Sequence, residues 1–282
     1  MSQTEAVVWE GRRRPARRVE SRARRWGRLS AIAVSVALLV VPMIPVAITA
    51  FADVWRYPAL LPQVWGWSGW DRAFASGAAE AFATSVSIGA AVAVLATAMG
   101  AMAGRALAFH QRRWTPGVIV LLALPMALPP YAIAMGLTTT VLAVRMPSIA
   151  AIVVILTAFS LPYTTLVARA GYLAYEHEFE DVARTLGASR RMVWWRVRAR
   201  LMAPVFATAA FLAFLVAWSD YIVTLLISGG TVITLPQALA AAQSGTGNAA
   251  TVAALAIITV LPPAAVLIIS VAIDRKAARH DH

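Results

Sequence analysis

The sequence predicts an all-α fold, a polytopic membrane helix bundle of six transmembrane helices with both the N and C termini cytoplasmic. Three observations predict it. The 282 residues are 60% hydrophobic and only 13% charged, with a mean hydropathy of +0.70, a balance that an ordinary solvated surface does not give. Six apolar runs, 30–51, 81–103, 116–142, 148–173, 203–228 and 249–273, are each long enough to cross about 30 Å of hydrocarbon at about 1.5 Å per residue. The basic residues, finally, crowd into alternate connections.

In chain order, a basic cytoplasmic tail covers 1–29 and the first span covers 30–52. Ala50-Phe51-Ala52 resembles a cleavage site, but the apolar stretch before it is longer than the roughly 7–15 residues of a signal sequence, so the span reads as a retained anchor. Residues 53–80 form an external segment whose Trp55, Tyr57, Trp65, Trp67 and Trp70 suit the membrane interface. The five remaining spans make a core over 81–273, interrupted by a cytoplasmic loop at 174–202, and 274–282 is a second cytoplasmic tail.

Orientation comes from the arginines. Nine lie between Arg12 and Arg28; Arg105, Arg112 and Arg113 follow the second span, and Arg169, Arg184, Arg190, Arg191, Arg196, Arg198 and Arg200 surround the long loop. With Arg275, Lys276 and Arg279 these are 22 of the 25 basic residues, leaving Arg56, Arg72 and Arg145 on the other side. The positive-inside rule therefore places both termini in the cytoplasm. The same distribution accounts for a net charge of +12 without nucleic acid, and the first tail suits anionic headgroups of the bilayer.

No cysteine is present, which removes disulfides, thiolate nucleophiles and Cys-ligated metals. His110, His177, His280 and His282 include no helical pair four residues apart. The sequence thus indicates no metal, no cofactor and no catalytic residue. A phosphate-cradling loop needs glycines ahead of a Lys-Ser/Thr pair, and the sole lysine, Lys276, has none nearby.

The segment 176–204, EHEFEDVARTLGASRRMVWWRVRARLMAP, is too charged to enter a bilayer. Residues 178–186 suit a short helix with its acids at the dipole's positive end, Gly187 suits a left-handed stop, and Ser189 suits the N-cap of a second helix. That second helix puts Met192, Val193, Val197 and Leu201 on an apolar side, with Trp194 and Trp195 suited to the interface. By spacing alone this is either an amphipathic linker on the headgroups or a projecting contact element.

Asp181-Val182-Ala183, then Gly187, Ser189, Val197 and Pro204, resembles the EAA loop of the inner-membrane permeases of binding-protein-dependent ABC importers, of the type I class with a MetI-like transmembrane domain. The departures are Asp181 for Glu, Val182 for Ala, and Ala199-Arg200 where that family often has Leu-Pro. Leu128-Pro129-Pro130-Tyr131 and Leu161-Pro162-Tyr163 look like the family's third and fourth helices. The resemblance implies that Asp181, Val182, Ala183, Gly187, Ser189 and Val197 couple this chain to cytoplasmic ABC ATPase subunits. It also implies a second permease subunit, identical or paralogous, and an extracytoplasmic solute-binding protein.

Asp220 is the one acid well inside a span. Steps of three and four residues join it to Ala217 and Thr224, a small and polar stripe that points into a bundle. Asp220, Ala217 and Thr224 are therefore candidate walls of the solute pathway, the alternative being a structural acid bonded to a neighbour. A carboxylate there, with the likeness of Trp218-Ser219-Asp220-Tyr221 and Leu235-Pro236 to permeases for polyamines, ferric ion and thiamine, leans toward a cationic solute over a sugar. An ion-driven secondary transporter is the competing function, but it normally carries several ionisable groups near the midplane, and these spans are almost bare of charge.

Overall fold

The computed structural model describes residues 22–56, 58–110, 113–175 and 178–280. The tail arginines Arg12, Arg13, Arg14, Arg17 and Arg18, with Tyr57, Arg112, His177 and His282, lie outside the described residues, as do the side chains of Asp181, Trp194, Trp195, Val197 and Lys276. The chain divides into two units, 1–46 and 47–282. The first holds α1 (Arg22–Val40), which stops where Pro42 removes a backbone donor; α2 (Met43–Ala50) has residues in both units.

In the second unit, residues 52–76 are more structured than their aromatic composition suggests. Strands β1 (Ala52–Val54) and β2 (Val64–Trp65) pair antiparallel, Ala52 opposite Trp65 and Val54 opposite Val64. Gln63 closes the hairpin by exchanging two 3.0 Å hydrogen bonds with the Arg56 backbone. Asp53 accepts the Ser68 N–H at 3.1 Å and so opens α3 (Ser68–Ala75). Left-handed Gly77 then turns the chain into α4 (Ala78–Phe109).

The core is built on α4, α7 (Ser148–Leu173) and α10 (Ala199–Trp218). Small residues let the first two approach: a Cβ on Gly104 would lie 2.8 Å from the Ala168 Cβ and the Arg169 nitrogen, and one on Gly100 would overlap Thr164. Ile88, Val92, Ile152, Leu156 and Ala217 pack together beyond that contact. Trp218 Nε1 donates to the Thr259 carbonyl at 3.0 Å, tying α10 to α13 (Ala249–His280).

Five stretches are long and apolar enough to cross a membrane: Ala33–Ala50, α4, α7, α10 and Ala249–Val266. The remaining predicted span, 116–142, carries Pro125, Pro129 and Pro130, which by sequence alone must interrupt a helix, and it is interrupted. It is a pair, α5 (Thr115–Ala127) and α6 (Pro130–Val144), bent by 94° at Leu128-Pro129. Pro129 and Pro130 remove two successive donors, and Leu128 takes the extended angles that a residue before proline favours.

The predicted helix over 203–228 is corrected. It leaves α10 after Trp218 and restarts as α11 (Ile222–Ser228), which ends on Gly229 and Gly230 at positive φ. Residues 231–234 lead to α12 (Leu235–Ser244), whose first amide, Leu235 N–H, donates to Ser85 Oγ of α4 at 2.8 Å.

Candidate functional site

The charged loop between α7 and α10 is α8 (Glu178–Thr185), a stop at Gly187, α9 (Arg190–Met192) and a π-helical turn (Val193–Arg198) that runs into α10. Gly187 sits at φ +83°, its N–H donates to Arg184 O at 2.9 Å, and Ala188 N–H donates to Ala183 O at 3.0 Å. That pair of bonds is a Schellman closure, which needs a left-handed residue at the glycine position. Two residues on, the Ser189 hydroxyl accepts the Met192 N–H at 3.3 Å and caps the next helix. Both local expectations of the sequence are met there.

The apolar side of the second helix is displaced from its predicted position. Val193 and Met202 are buried at 2% exposure, whereas Met192 and Leu201 are about half exposed. The wider π turn advances the register by an added residue, so spacing by α-helical steps misplaces the inward face.

Sequence reasoning missed Glu180. It is buried, and its Oε1 accepts from Tyr175 Oη at 2.9 Å and from Arg198 Nε at 2.8 Å, while Arg184 reaches Oε2 at 3.5 Å. Arg198 also lies over the Tyr175 ring, 5.9 Å from its centroid. Burial opposes ionisation of Glu180, but the hydrogen bonds from Tyr175 and Arg198 and the charges of Arg198 and Arg184 outweigh it, so its carboxyl is held below the ordinary value. The same burial, with the bond to Glu180, pushes the Tyr175 phenol up. A cleft of about 400 Å³ beside Glu180 is bordered by Arg105, Arg184, Arg190, Arg191 and Arg198, a strongly cationic surface around one acid.

Asp220 lies between α10 and α11 and its carboxylate serves the second helix. Oδ1 accepts the Val223 N–H at 3.2 Å; Oδ2 accepts the Thr224 N–H and the Thr224 hydroxyl, each at 2.8 Å. Both oxygens thus satisfy the first turn of α11, at the positive end of its dipole. Thr224 is buried at 1% exposure and Ala217 sits in the core with Ile88 and Val92. Of the three candidate pathway residues, Asp220 alone borders a cavity of about 450 Å³, with Leu128, Pro130, Tyr163 and Tyr221. The break in α5–α6 and the break in α10–α11 face one another across it, broken backbone being tolerated in a bundle where it lines a cavity or meets protein. Among the described residues no group of three or more His, Asp or Glu side chains is placed to hold a metal.

Apolar helices long enough to span a membrane, two helix breaks bordering one cavity and a charged helical loop fit a membrane transport component. The chain belongs to the family of binding-protein-dependent transport system inner membrane components, whose family model matches residues 96–279, more than half of its length. It is 30% identical over 228 residues to the molybdenum transport system permease protein ModB of Mycobacterium tuberculosis, covering 75% of this chain and 81% of that protein. It is also 30% identical over 141 residues to the molybdate/tungstate transport system permease protein WtpB of Thermococcus kodakarensis, covering 50% of this chain and 57% of the other. The fold is shared with a chain in the crystal structure of a bacterial ABC transporter involved in the import of the acidic polysaccharide alginate, at a TM-score of 0.56 and 18% identity over 90% of this chain and 98% of that one. The protein is a multi-pass inner-membrane permease subunit of an ABC importer. The ModB relatives are named for molybdenum and the WtpB relatives for molybdate and tungstate, and none of them for a polyamine, ferric ion or thiamine.

Proposed function

We propose that this chain forms part of the solute pathway of an ATP-driven importer for a tetrahedral oxyanion of the molybdate and tungstate class, and that its loop at 174–202 transmits the force of a separate ATPase. ATPase subunits in the cytoplasm hydrolyse the nucleotide, a second permease completes the pathway, and an extracytoplasmic binding protein delivers the solute. The coupling reading rests on the construction of the loop. Val182 and Leu186 are 58% and 83% exposed on a helix end that a Schellman closure, the Ser189 cap and the Glu180 clamp hold in place. Apolar side chains held out on a charged, ordered projection suit burial in a partner's cleft. The substrate reading rests on the names of the relatives. Asp220 gives no support to a cationic solute, because its oxygens are occupied by the chain's own donors.

Reconstitution of the permease with its ATPase and binding protein tests both parts. The expected result is saturable, ATP-dependent uptake of molybdate and tungstate. ATP-dependent uptake of putrescine, thiamine or ferric ion with none of molybdate or tungstate would overturn the oxyanion assignment. Uptake that ignores ATP and follows an ion gradient would replace the coupling reading with secondary transport.

A further inference from the structure

The cleft beside Glu180 gathers more positive charge than its acid neutralises. Arg105, Arg184, Arg190, Arg191 and Arg198 border its volume of about 400 Å³, and Glu180 is the one carboxylate among the described residues that does. That carboxylate is held by Arg198 at 2.8 Å and reached by Arg184 at 3.5 Å. Arg105, Arg190 and Arg191 make no salt bridge among the described residues, and they come from two distant parts of the chain, α4 and α9. Like charges brought together around one cleft repel, and an anion among them relieves the repulsion.

The cleft lies where spans begin and end. Arg105 stands four residues before Phe109, the last residue of α4, and Arg198 immediately precedes α10. Phe109 in turn meets Tyr172 near the end of α7, ring centroids 5.9 Å apart. Ends of three candidate membrane spans therefore surround the arginines, which is the level of lipid headgroups. A second cleft, of about 490 Å³, shares Arg105 and Arg198 with the first and is otherwise lined by Met102, Ala106, Phe109 and His110. Met102, Ala106 and Phe109 follow one another by four and three residues, and Leu95 and Met99 extend the same exposed apolar stripe down α4 into the span. A dissolved anion gains nothing from such a stripe, whereas an acyl chain is buried by it.

We infer that the two joined clefts bind one anionic phospholipid, its phosphate received by Arg105, Arg190 and Arg191 beside the Glu180–Arg198 pair and an acyl chain laid along Met102, Ala106 and Phe109. Arginine suits the headgroup because its planar fork offers a phosphate two parallel N–H donors. A lipid held there ties the clamped loop to the bilayer surface. The site depends on neither the cargo nor the ATPase reading above.

The full complex of permease, ATPase and binding protein, taken from vesicles of phosphatidylcholine and phosphatidylglycerol, tests it by native mass spectrometry, the retained lipids being counted on each complex. The expected result is retention of phosphatidylglycerol in preference to phosphatidylcholine. Arg105→Gln and Arg191→Gln should each weaken that retention roughly fivefold, the usual worth of one basic residue at an anionic membrane surface. Arg105→Lys should keep most of it, which separates lost charge from lost folding, and Met102→Gln should weaken it with every arginine in place. Millimolar inorganic phosphate should leave the lipid bound. Equal retention of the two lipids, or retention indifferent to both Arg105→Gln and Arg191→Gln, would overturn the site. Ready displacement by inorganic phosphate would also overturn it and make the cleft a place for a dissolved anion. Retention by the permease alone but not by the full complex would overturn it too, giving the arginines to the ATPase.

Discussion

In the charged loop Glu180 is held by cationic side chains, one of them eighteen residues along the chain, whereas at the break between α10 and α11 Asp220 is held by the backbone of the helix it opens. The distance along the chain decides what each carboxylate fixes. Arg198 lies beyond the Gly187 stop and the Ser189 cap, so its bond to Glu180 sets the angle between two helices. Val223 and Thr224 are three and four residues from Asp220, so those bonds set only where one helix begins. A long-range clamp positions a docking element, while a local cap preserves a bend.

The largest effect is therefore expected at Glu180. Glu180→Gln leaves the Arg198 guanidinium, whose side chain is 19% exposed, without its charge partner. Breaking a buried pair from one side costs about 3–5 kcal/mol, and the residual exposure puts this case near about 3. We expect the spans to remain membrane-embedded while the loop is cut faster by protease, ATPase co-purification falls and transport is lost. A Glu180→Arg, Arg198→Glu exchange should recover part of it. Normal transport by Glu180→Gln would remove the clamp from coupling. The pH dependence has a definite sign. A carboxyl lowered by folding stabilises fully above its unfolded value and loses that contribution as pH falls through the folded one. ATPase co-purification should thus hold from neutrality down to about pH 4.3, the ordinary glutamate value, and decline only below it.

A smaller effect on the chain's own stability is expected at Gly187. Nothing lies within 4 Å of a Cβ built there, so within this chain the demand is for φ +83° alone. Asparagine tolerates that region and an aspartate of the same shape adds charge, each at a backbone cost of about 1 kcal/mol or less. Gly187→Asn should therefore leave the protein stable in membranes and yet weaken transport through added bulk at the ATPase contact, and Gly187→Asp or Ala183→Glu should abolish it. Normal uptake by all three would mean that this face of the loop touches no partner.

The contrast also explains what the sequence made legible. The spans followed from apolar length, and the Gly187 stop and Ser189 cap followed from residue type, because each depends on neighbours within about one turn. Glu180 escaped notice because its decisive partner is remote, and because the register of the EAA-like pattern directs attention to Asp181. Its cue was an acid four residues before Arg184 in an arginine-rich loop. The break at 219–221 had a cue as well: Ser-Asp inside an apolar run is an N-cap signature, and reading Asp220 as a pathway wall passed over it. The prolines marked an interruption at 125–130, but its 94° angle depends on packing that no spacing encodes.

The smallest effect is expected at Asp220, where the comparison is most easily broken. An asparagine there retains one acceptor oxygen, enough for the Thr224 N–H, while its amide nitrogen cannot accept from Val223. Asp220→Asn should therefore weaken the start of α11 by a few tenths of a kcal/mol, and Asp220→Ala, with no acceptor, by about 1 kcal/mol. If the carboxylate is only a cap, oxyanion uptake at saturating binding protein should be nearly unchanged in the Asn variant, and thermal stability in detergent should fall in the order wild type, Asn, Ala. A solute-facing charge gives another pattern. Asp220 borders the cavity between the two helix breaks, so neutralising a charge that meets the solute would change uptake while leaving stability and assembly alone. For an anionic cargo the sign of that change would be a gain, because a repelling group is removed, and for a cationic cargo a loss. Measuring uptake and melting side by side in Asp220→Asn and Asp220→Ala separates the two: a stability ladder with flat uptake keeps the cap, and an uptake change with flat stability returns Asp220 to the solute pathway.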